Sequence, residues 1–385
     1  DLVRSRGLGD VYKRQDADIA AKAECGGAVT GLLKFALEKK MVDAVFAIKR
    51  GQDIYDAVPT LITDPKELNQ TAGSLHCGTL LLSKLINKYL GGASNMKIAM
   101  PVKGCDMMGI LELAKRDKVN LDNILMIGVN CGGTVSPITA REMIADKFGV
   151  DPDTVTKEEI DKGQFIIEYA GGHKGISIDE LEEEGYGRRS NCRRCKVKVP
   201  RQADLACGNW GVIGEKAGKA TFVEVCSDKG AKLLDEATRA GVIKTEPANP
   251  KGIEIRKKVE GAMFKLGDKW RRRDFADLSP VLWDTINKET SRCIKCYSCI
   301  ENCPVCFPNE DGLTGKSLMV TDGEVPPKPM FHMRRFAHIS DSCINCGQCE
   351  ELCPMDIPLA LFSHAIRAEG DNSFEPKLGE SRYTN

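Results

Sequence analysis

The feature that most constrains this chain is a cysteine pattern that occurs twice in its last hundred residues. Cys293-x₂-Cys296-x₂-Cys299-x₃-Cys303-Pro304 is repeated as Cys343-x₂-Cys346-x₂-Cys349-x₃-Cys353-Pro354. Three thiolates at this spacing can surround one 4Fe–4S cube, while the fourth cysteine points too far away to join them. In chains with two such runs the fourth cysteine ligates the other cluster, so both runs must fold as one clasped unit. Cys353 is then expected with Cys293, Cys296 and Cys299, and Cys303 with Cys343, Cys346 and Cys349. The proline ends each ligand loop and starts the next helix, where its missing N–H does no harm. A pair of zinc sites is the plain alternative, but zinc usually shows two CxxC pairs rather than this longer run twice over.

With 385 residues and 42% hydrophobic content, the chain has room for two or three domains with real cores. Lys+Arg and Asp+Glu both total 55, so no net charge favours nucleic acid or an anionic membrane. No apolar run approaches the roughly 20 residues that span a bilayer, and no signal peptide opens the chain. Of the 17 cysteines at least eight sit at cluster spacing, which points to a reducing, cytoplasmic setting rather than to disulfides.

Residues 1–15 (DLVRSRGLGDVYKRQ) carry no clear period and do not lead into the segment after them. They read as a foreign or artefactual leader. Residues 16–275 form the expected core and 276–385 the cluster domain. In the core, Glu24-Cys25-Gly26-Gly27 feeds an apolar helix beginning near Ala28, and 43–50 comes next as a strand. A second small-residue loop, Thr71-Ala72-Gly73-Ser74, precedes another helix. Glycines before a helix let backbone N–H groups approach an anion, although most Gly-Gly pairs are turns. Strands at 97–102 and 123–129 enclose a helix for which Asp106 is the expected N-cap, a strand–helix–strand unit that implies parallel pairing. Cys105 and Cys131 therefore lie at the carboxyl ends of neighbouring strands, the edge where open α/β sheets bind ligands. Residues 141–187 look acidic and partly helical, with a strand at 163–170.

Cys192-x₂-Cys195 is a metal signal that lacks a partner pair, so its other two ligands must come from a distance. Cys105 and Cys131 are the candidates that geometry suggests, giving a third 4Fe–4S cluster, with Cys207 and Cys77 in reserve. Arg188, Arg189, Arg193 and Arg194 surround this pair. Such a run is usually a solvated face, yet guanidinium groups beside a cluster would also steer an anionic coenzyme. Cys226 reads as a core residue, and Cys306 as structural. None of the five histidines has a ligand-like setting. The gap from Cys303 to Cys343 and the helical patterns flanking both runs favour a helical, not sheet-based, two-cluster module.

The combination of AECGGAVTGLL, TAGSLHCG, Cys105 with Asp106, GVNCGG, the span GRRSNCRRCKVKVPRQADLACGNWG and both terminal runs resembles the coenzyme F420 hydrogenase/dehydrogenase beta-subunit family, on its formate dehydrogenase side. The resemblance covers residues 24 to about 365. It implies an α/β (α+β) flavin-binding core with an open mixed sheet, followed by a helical ferredoxin-type domain holding two 4Fe–4S clusters. It further implies bound FAD, coenzyme F420 as substrate, and a partner alpha subunit with molybdenum or tungsten pterin that oxidises formate. Electrons would then run through the clusters to FAD and leave as hydride to coenzyme F420, with no catalytic side chain required. Carried over residue by residue, Gly26, Gly27, Thr30, Gly73, Ser74 and Lys103 are the expected FAD contacts, and the arginines 188–194 the contacts for the coenzyme's anionic tail. A heterodisulfide reductase is a further candidate partner. The alternatives are a hydrogenase or F420H₂ oxidase beta subunit with the same core chemistry, a flavin-free electron-transfer subunit, and a zinc-stabilised scaffold.

Overall fold

The computed structural model describes residues 8–12, 17–161, 163–276, 278, 281–307, 325 and 329–373. The chain divides into two units, Asp1–Gly267 and Asp268–Asn385, and the division falls inside one long helix, Pro250–Ala276.

Among its described residues the first unit holds eleven strands. β1 (Leu8–Tyr12), β2 (Ala44–Arg50), β3 (Ala57–Ile62), β4 (Ile98–Val102) and β5 (Ile124–Val129) come first. β6 (Val155–Asp161), β7 (Gln164–Tyr169) and β8 (Gly172–Ser177) form a separate antiparallel sheet, and β9 (Leu205–Gly208), β10 (Ala220–Val225) and β11 (Lys244–Pro247) complete the large one. The large sheet has the order β11-β1-β10-β9-β5-β4-β2-β3. Its centre, β2-β4-β5-β9, is parallel, and both flanks are antiparallel. This is the open mixed sheet the sequence leads one to expect. The central strands are apolar at successive positions because both faces are covered, as parallel sheets require. On one face the helices Ala28–Glu38 and Asp228–Arg239 bury Leu32, Leu33 and Leu233 against Leu125, Ile127, Leu205 and Val223.

Three details differ from the sequence expectation. Leu8–Tyr12, inside the stretch set aside as leader, pairs antiparallel with both β10 and β11. Asp106 is not an N-cap: the helix Gly104–Ala114 starts three residues earlier than that cap would set, with Lys103 as its cap and Asp106 in the first turn. The acidic stretch VTKEEID is a strand, β6, whose partner β7 turns Phe165 and Ile167 inward against Phe148, Met143 and Leu181. Alternation of polar and apolar residues across β6–β7 outweighs the helical preference of Lys and Glu.

The second unit, among its described residues, contains helices only. Leu282–Thr290, Pro329–Ala337 and Leu359–Ser373 pack Leu282, Ile286, Phe336 and Phe362 into one apolar cluster beside Cys293, Cys299, Cys349 and Cys353. The ferredoxin-type module is thus helical.

Candidate redox centres

Cys105 and Cys131 do stand at the carboxyl edge of the parallel strands. β4 and β5 pair in register, Val102 opposite Gly128, and each chain then turns out of the sheet into its cysteine. The Cys192–Cys195 segment is fastened beside them. Cys131 N donates to Lys198 O (2.9 Å), and Arg189 N donates to Thr134 O (2.9 Å). Two glycines make the approach possible. A methyl at Gly104 would sit 2.3 Å from Val197 O, and one at Gly133 (φ +136°) 3.1 Å from the Cys192 Cβ.

The four thiols form one electrostatic group. Burial pushes the Cys131 thiol up to about 11, and Cys192 and Cys195 push in the same direction, opposed by Lys103 and Lys198. Burial also raises Cys105, helped by Asp106, Cys131 and Cys195. At Cys192 burial is overcome by Arg189, Thr134 and Lys198, and that thiol is lowered. The reserves lie elsewhere: Cys207 is near Cys226 and Cys25, and Cys77 is beside Glu158. Four thiols with buried cations nearby suit an anionic iron–sulfur cube. Lys198, 1% exposed, donates to Gly132 O (3.3 Å) and Cys192 O (3.0 Å).

The arginine run needs correction. Arg188 is buried, pairing with Glu182 (Nη2 to Oε2, 2.9 Å) and donating to Gly132 O. Arg194 is 1% exposed. Neither is a surface group for an incoming coenzyme; Arg189 and Arg193 alone of the four keep partial exposure. The sequence shows a run of charge but not that Arg188 and Arg194, which flank the short helix Ser190–Arg193, turn inward.

The residues expected to contact FAD are brought to one region. Gly26, Gly27 and Gly73 all have positive φ, and no side chain caps the helix that starts at Ala28. Glu24 joins the two loops: it is hydrogen-bonded by Ser74 and lies 3.5 Å from His76 Nε2. The pairing acts on both groups. His76 is raised by Glu24 despite burial, and Glu24 is lowered by His76 despite burial. Lys103 links this region to the thiols, donating to Leu80 O (3.1 Å) and pairing with Asp106 (2.9 Å), next to Cys105. Thr30 is buried. Gly26 also has a purely internal reason to be glycine, since a methyl there would lie 2.8 Å from Ala220 Cα.

In the second unit the two runs are crossed. One cavity is lined by Cys293, Cys296, Cys299 and Cys353, the other by Cys303, Cys343, Cys346 and Cys349. The repeat extends to the backbone. Lys295 and Asn345 occupy the same place in each run and have φ of 57° and 52°; Tyr297 and Gly347 have 62° and 76°. Left-handed conformation in lysine, asparagine and tyrosine is costly, and such strain concentrates at functional sites. Here it turns N–H groups toward sulfur: Lys295 N donates to Cys293 Sγ (3.3 Å), and Asn345 N to Cys343. Among the described residues no three His, Cys, Asp or Glu side chains gather around a single metal ion. In a cube each thiolate binds its own iron, so the sulfurs stand further apart than around one zinc.

Two further side chains are buried in this unit. Cys306 is buried, with Sγ 3.0 Å from His338 Nε2. His332 is buried, and neither of its ring nitrogens has a hydrogen-bond partner among the described residues.

Comparison with known proteins agrees with this geometry. Residues 12–87 and 95–251 match the N-terminal and C-terminal models, respectively, of "Coenzyme F420 hydrogenase/dehydrogenase, beta subunit", and 292–357 match "4Fe-4S dicluster domain". The F420-dependent formate dehydrogenase subunit beta of Methanocaldococcus jannaschii is 52% identical, over 91% of each chain. The F420-dependent formate dehydrogenase 1 subunit beta of Methanococcus maripaludis is 52% identical, over 93% of this chain and 92% of its own. A chain of the F420-reducing [NiFe] hydrogenase complex of Methanosarcina barkeri shares the fold, with TM-score 0.59 and 18% identity, over 71% of this chain and 94% of that one.

Proposed function

Since this chain belongs to the coenzyme F420 hydrogenase/dehydrogenase beta-subunit family, we propose that it is the beta subunit of an F420-dependent formate dehydrogenase, an oxidoreductase. The observation that carries this reading is the pair of crossed four-cysteine cavities joined in one chain to a core of that family. The 52% identity runs through both parts. By contrast, the hydrogenase chain that shares the fold is nearly all covered while part of this chain extends beyond the match.

In the finer reading, a partner alpha subunit with molybdenum or tungsten pterin oxidises formate, and this chain carries the electrons on to coenzyme F420. When bound, 4Fe–4S clusters move single electrons and FAD exchanges single electrons for a hydride pair. The chain's own residues then have separable tasks. Cys293, Cys296, Cys299 and Cys353 would hold one cluster, Cys303, Cys343, Cys346 and Cys349 the second, and Cys105, Cys131, Cys192 and Cys195 a third. Gly26, Gly27, Gly73 and Ser74 would let the flavin approach their backbone, with Lys103 between flavin and thiols. Arg189 and Arg193 would attract the phosphate and carboxylate tail of the coenzyme, while Arg188 and Arg194 belong to the interior. A heterodisulfide reductase partner stays within the proposal.

The test is anaerobic purification followed by iron, sulfide and flavin counts and addition of reduced coenzyme F420. About twelve irons and one FAD per chain, with bleaching by the reduced coenzyme, are expected. About eight irons without flavin would leave an electron-transfer subunit and remove the flavin-and-cluster reading of the core. Formate with the partner alpha subunit, against H₂ with a hydrogenase partner, separates the two donors.

A further inference from the structure

The helix Pro329–Ala337 brings two polar side chains into the cluster region, one turn apart. His332 lines the cavity of Cys293, Cys296, Cys299 and Cys353, and Arg335 lines that of Cys303, Cys343, Cys346 and Cys349. Phe331 and Phe336 fix the helix on either side, packing against Cys306 and Ile300 in one case and Phe362 and Ile286 in the other.

Arg335 is 2% exposed, and its Nε and Nη1 have no hydrogen-bond partner among the described residues. Its guanidinium hydrogen-bonds Cys299 of the first set. An arginine keeps its charge in proteins, and the thiols it faces are those of Cys299, Cys349, Cys303 and Cys306. Cys299 belongs to the first set and Cys303 and Cys349 to the second, while Cys306 belongs to neither. A buried guanidinium without an anion is costly by several kcal/mol. The negative charge that answers it must therefore come from the cavities it faces. A cube with four thiolates is anionic when oxidised and gains a further negative charge on reduction.

We propose that Arg335 is the shared counter-ion of the two C-terminal clusters, a fixed cation that raises the reduction potential of both and weakens the repulsion between their reduced forms. It is a positioning and tuning residue, since it carries no electron itself. A positive charge beside each cluster favours the state with the extra electron. Lying against thiols of both sets, it also spreads the penalty of reducing the second cluster once the first is reduced. The inference rests on the two-cluster reading of the crossed runs.

The test uses the full chain, purified anaerobically, as wild type, Arg335→Gln and Arg335→Lys. Iron and sulfide are counted, and midpoint potentials are followed by EPR in a potentiometric titration. Arg335→Gln is expected to keep its iron and to lower the reduced:oxidised ratio of the C-terminal clusters at least tenfold at the wild-type midpoint, about 59 mV for one electron. Arg335→Lys should restore most of the shift, and the core cluster serves as an internal reference that does not move. Unchanged C-terminal potentials in Arg335→Gln with full iron would overturn the proposal, as would equal shifts in both variants. If Arg335→Gln loses iron, Arg335→Lys decides. Full iron and near-native potentials support the charge role; loss of iron there too means that shape rather than charge is needed, which overturns it. A wild-type chain without C-terminal cluster signals would instead bring down the two-cluster reading, and this inference with it.

Discussion

Replacing Gly104 by alanine tests how the core thiols are brought together. The added methyl would lie 2.3 Å from Val197 O and 2.8 Å from Val197 Cγ1. Ordinary carbon contacts are about 3.5–4.0 Å, so helix and loop must part by roughly 1 Å. The closest obstacle is backbone, with Cys131 bonded to the same loop at Lys198 O, so it cannot swing aside as a side chain would. Overpacking of this kind costs about 1–3 kcal/mol. For a unit of this size each kcal/mol lowers Tm by about 2–4 °C, so a fall of roughly 2–12 °C is expected. The parting also moves Cys105 away from Cys192 and Cys195. The variant should therefore lose about four of about twelve irons while the C-terminal pair keeps its EPR signals. Gly261→Ala is the control, since outside its own helix backbone no described atom lies within 4 Å of its added methyl. Alanine in that helix should stabilise by about 0.5–1 kcal/mol. Differential scanning calorimetry under argon and iron analysis read both effects. A Gly104→Ala protein with native Tm and full iron would refute the packing argument outright.

The remaining predictions use the same tools. If the terminal runs are crossed, Cys353→Ser combined with Cys296→Ser loses no more iron than either alone, whereas Cys353→Ser with Cys346→Ser loses both clusters; the reverse pattern would mean that each run closes on itself. Glu224 accepts hydrogen bonds from Arg201 (2.7 Å) and from buried Arg256. Burial alone would raise its carboxyl, but Arg201 and Arg256 hold it below the ordinary 4.5. With a folded value below the unfolded one, its contribution is complete above pH 4.5 and is lost as pH falls through the folded value. Glu224→Gln should cost roughly 3–5 kcal/mol in urea titrations at neutral pH, because Arg256 is left buried and unpaired; a loss under 1 kcal/mol would contradict this. Arg193→Ala should raise KM for coenzyme F420, most clearly at low salt, with little change in Tm. Arg188→Ala should instead lower Tm by stranding Glu182, and equal effects of the two would contradict this division between surface and interior arginines.

Much of the candidate site was legible because its signals are local. A CxxCxxCxxxCP run carries its ligand loop within a dozen residues, and its duplication already implies crossing; the helix expected to start at each proline is not found, since Pro304 and Pro354 sit in turns and the helix after Pro354 begins at Leu359. The strands around 98–102 and 124–129 announce themselves by unbroken apolar runs, and the cysteines beyond them fall at the binding edge for that reason. What escaped is what depends on partners far along the chain. Leu8–Tyr12 has no period of its own and becomes a strand because β10 and β11 offer open edges. VTKEEID prefers helix locally and is drawn into strand by its pairing with β7.

By itself, then, the sequence determined the cluster chemistry, the parallel core and the helical character of the cluster module, since each is encoded in spacing or periodicity. Only the tertiary structure decided which charges face inward. Arg188 and Arg335 read as surface cations in a linear chain, and they are buried because a carboxylate and a carbonyl group, or a set of thiols, meets them there. Burial of a charge is a property of its surroundings, and those surroundings do not exist until the chain has folded.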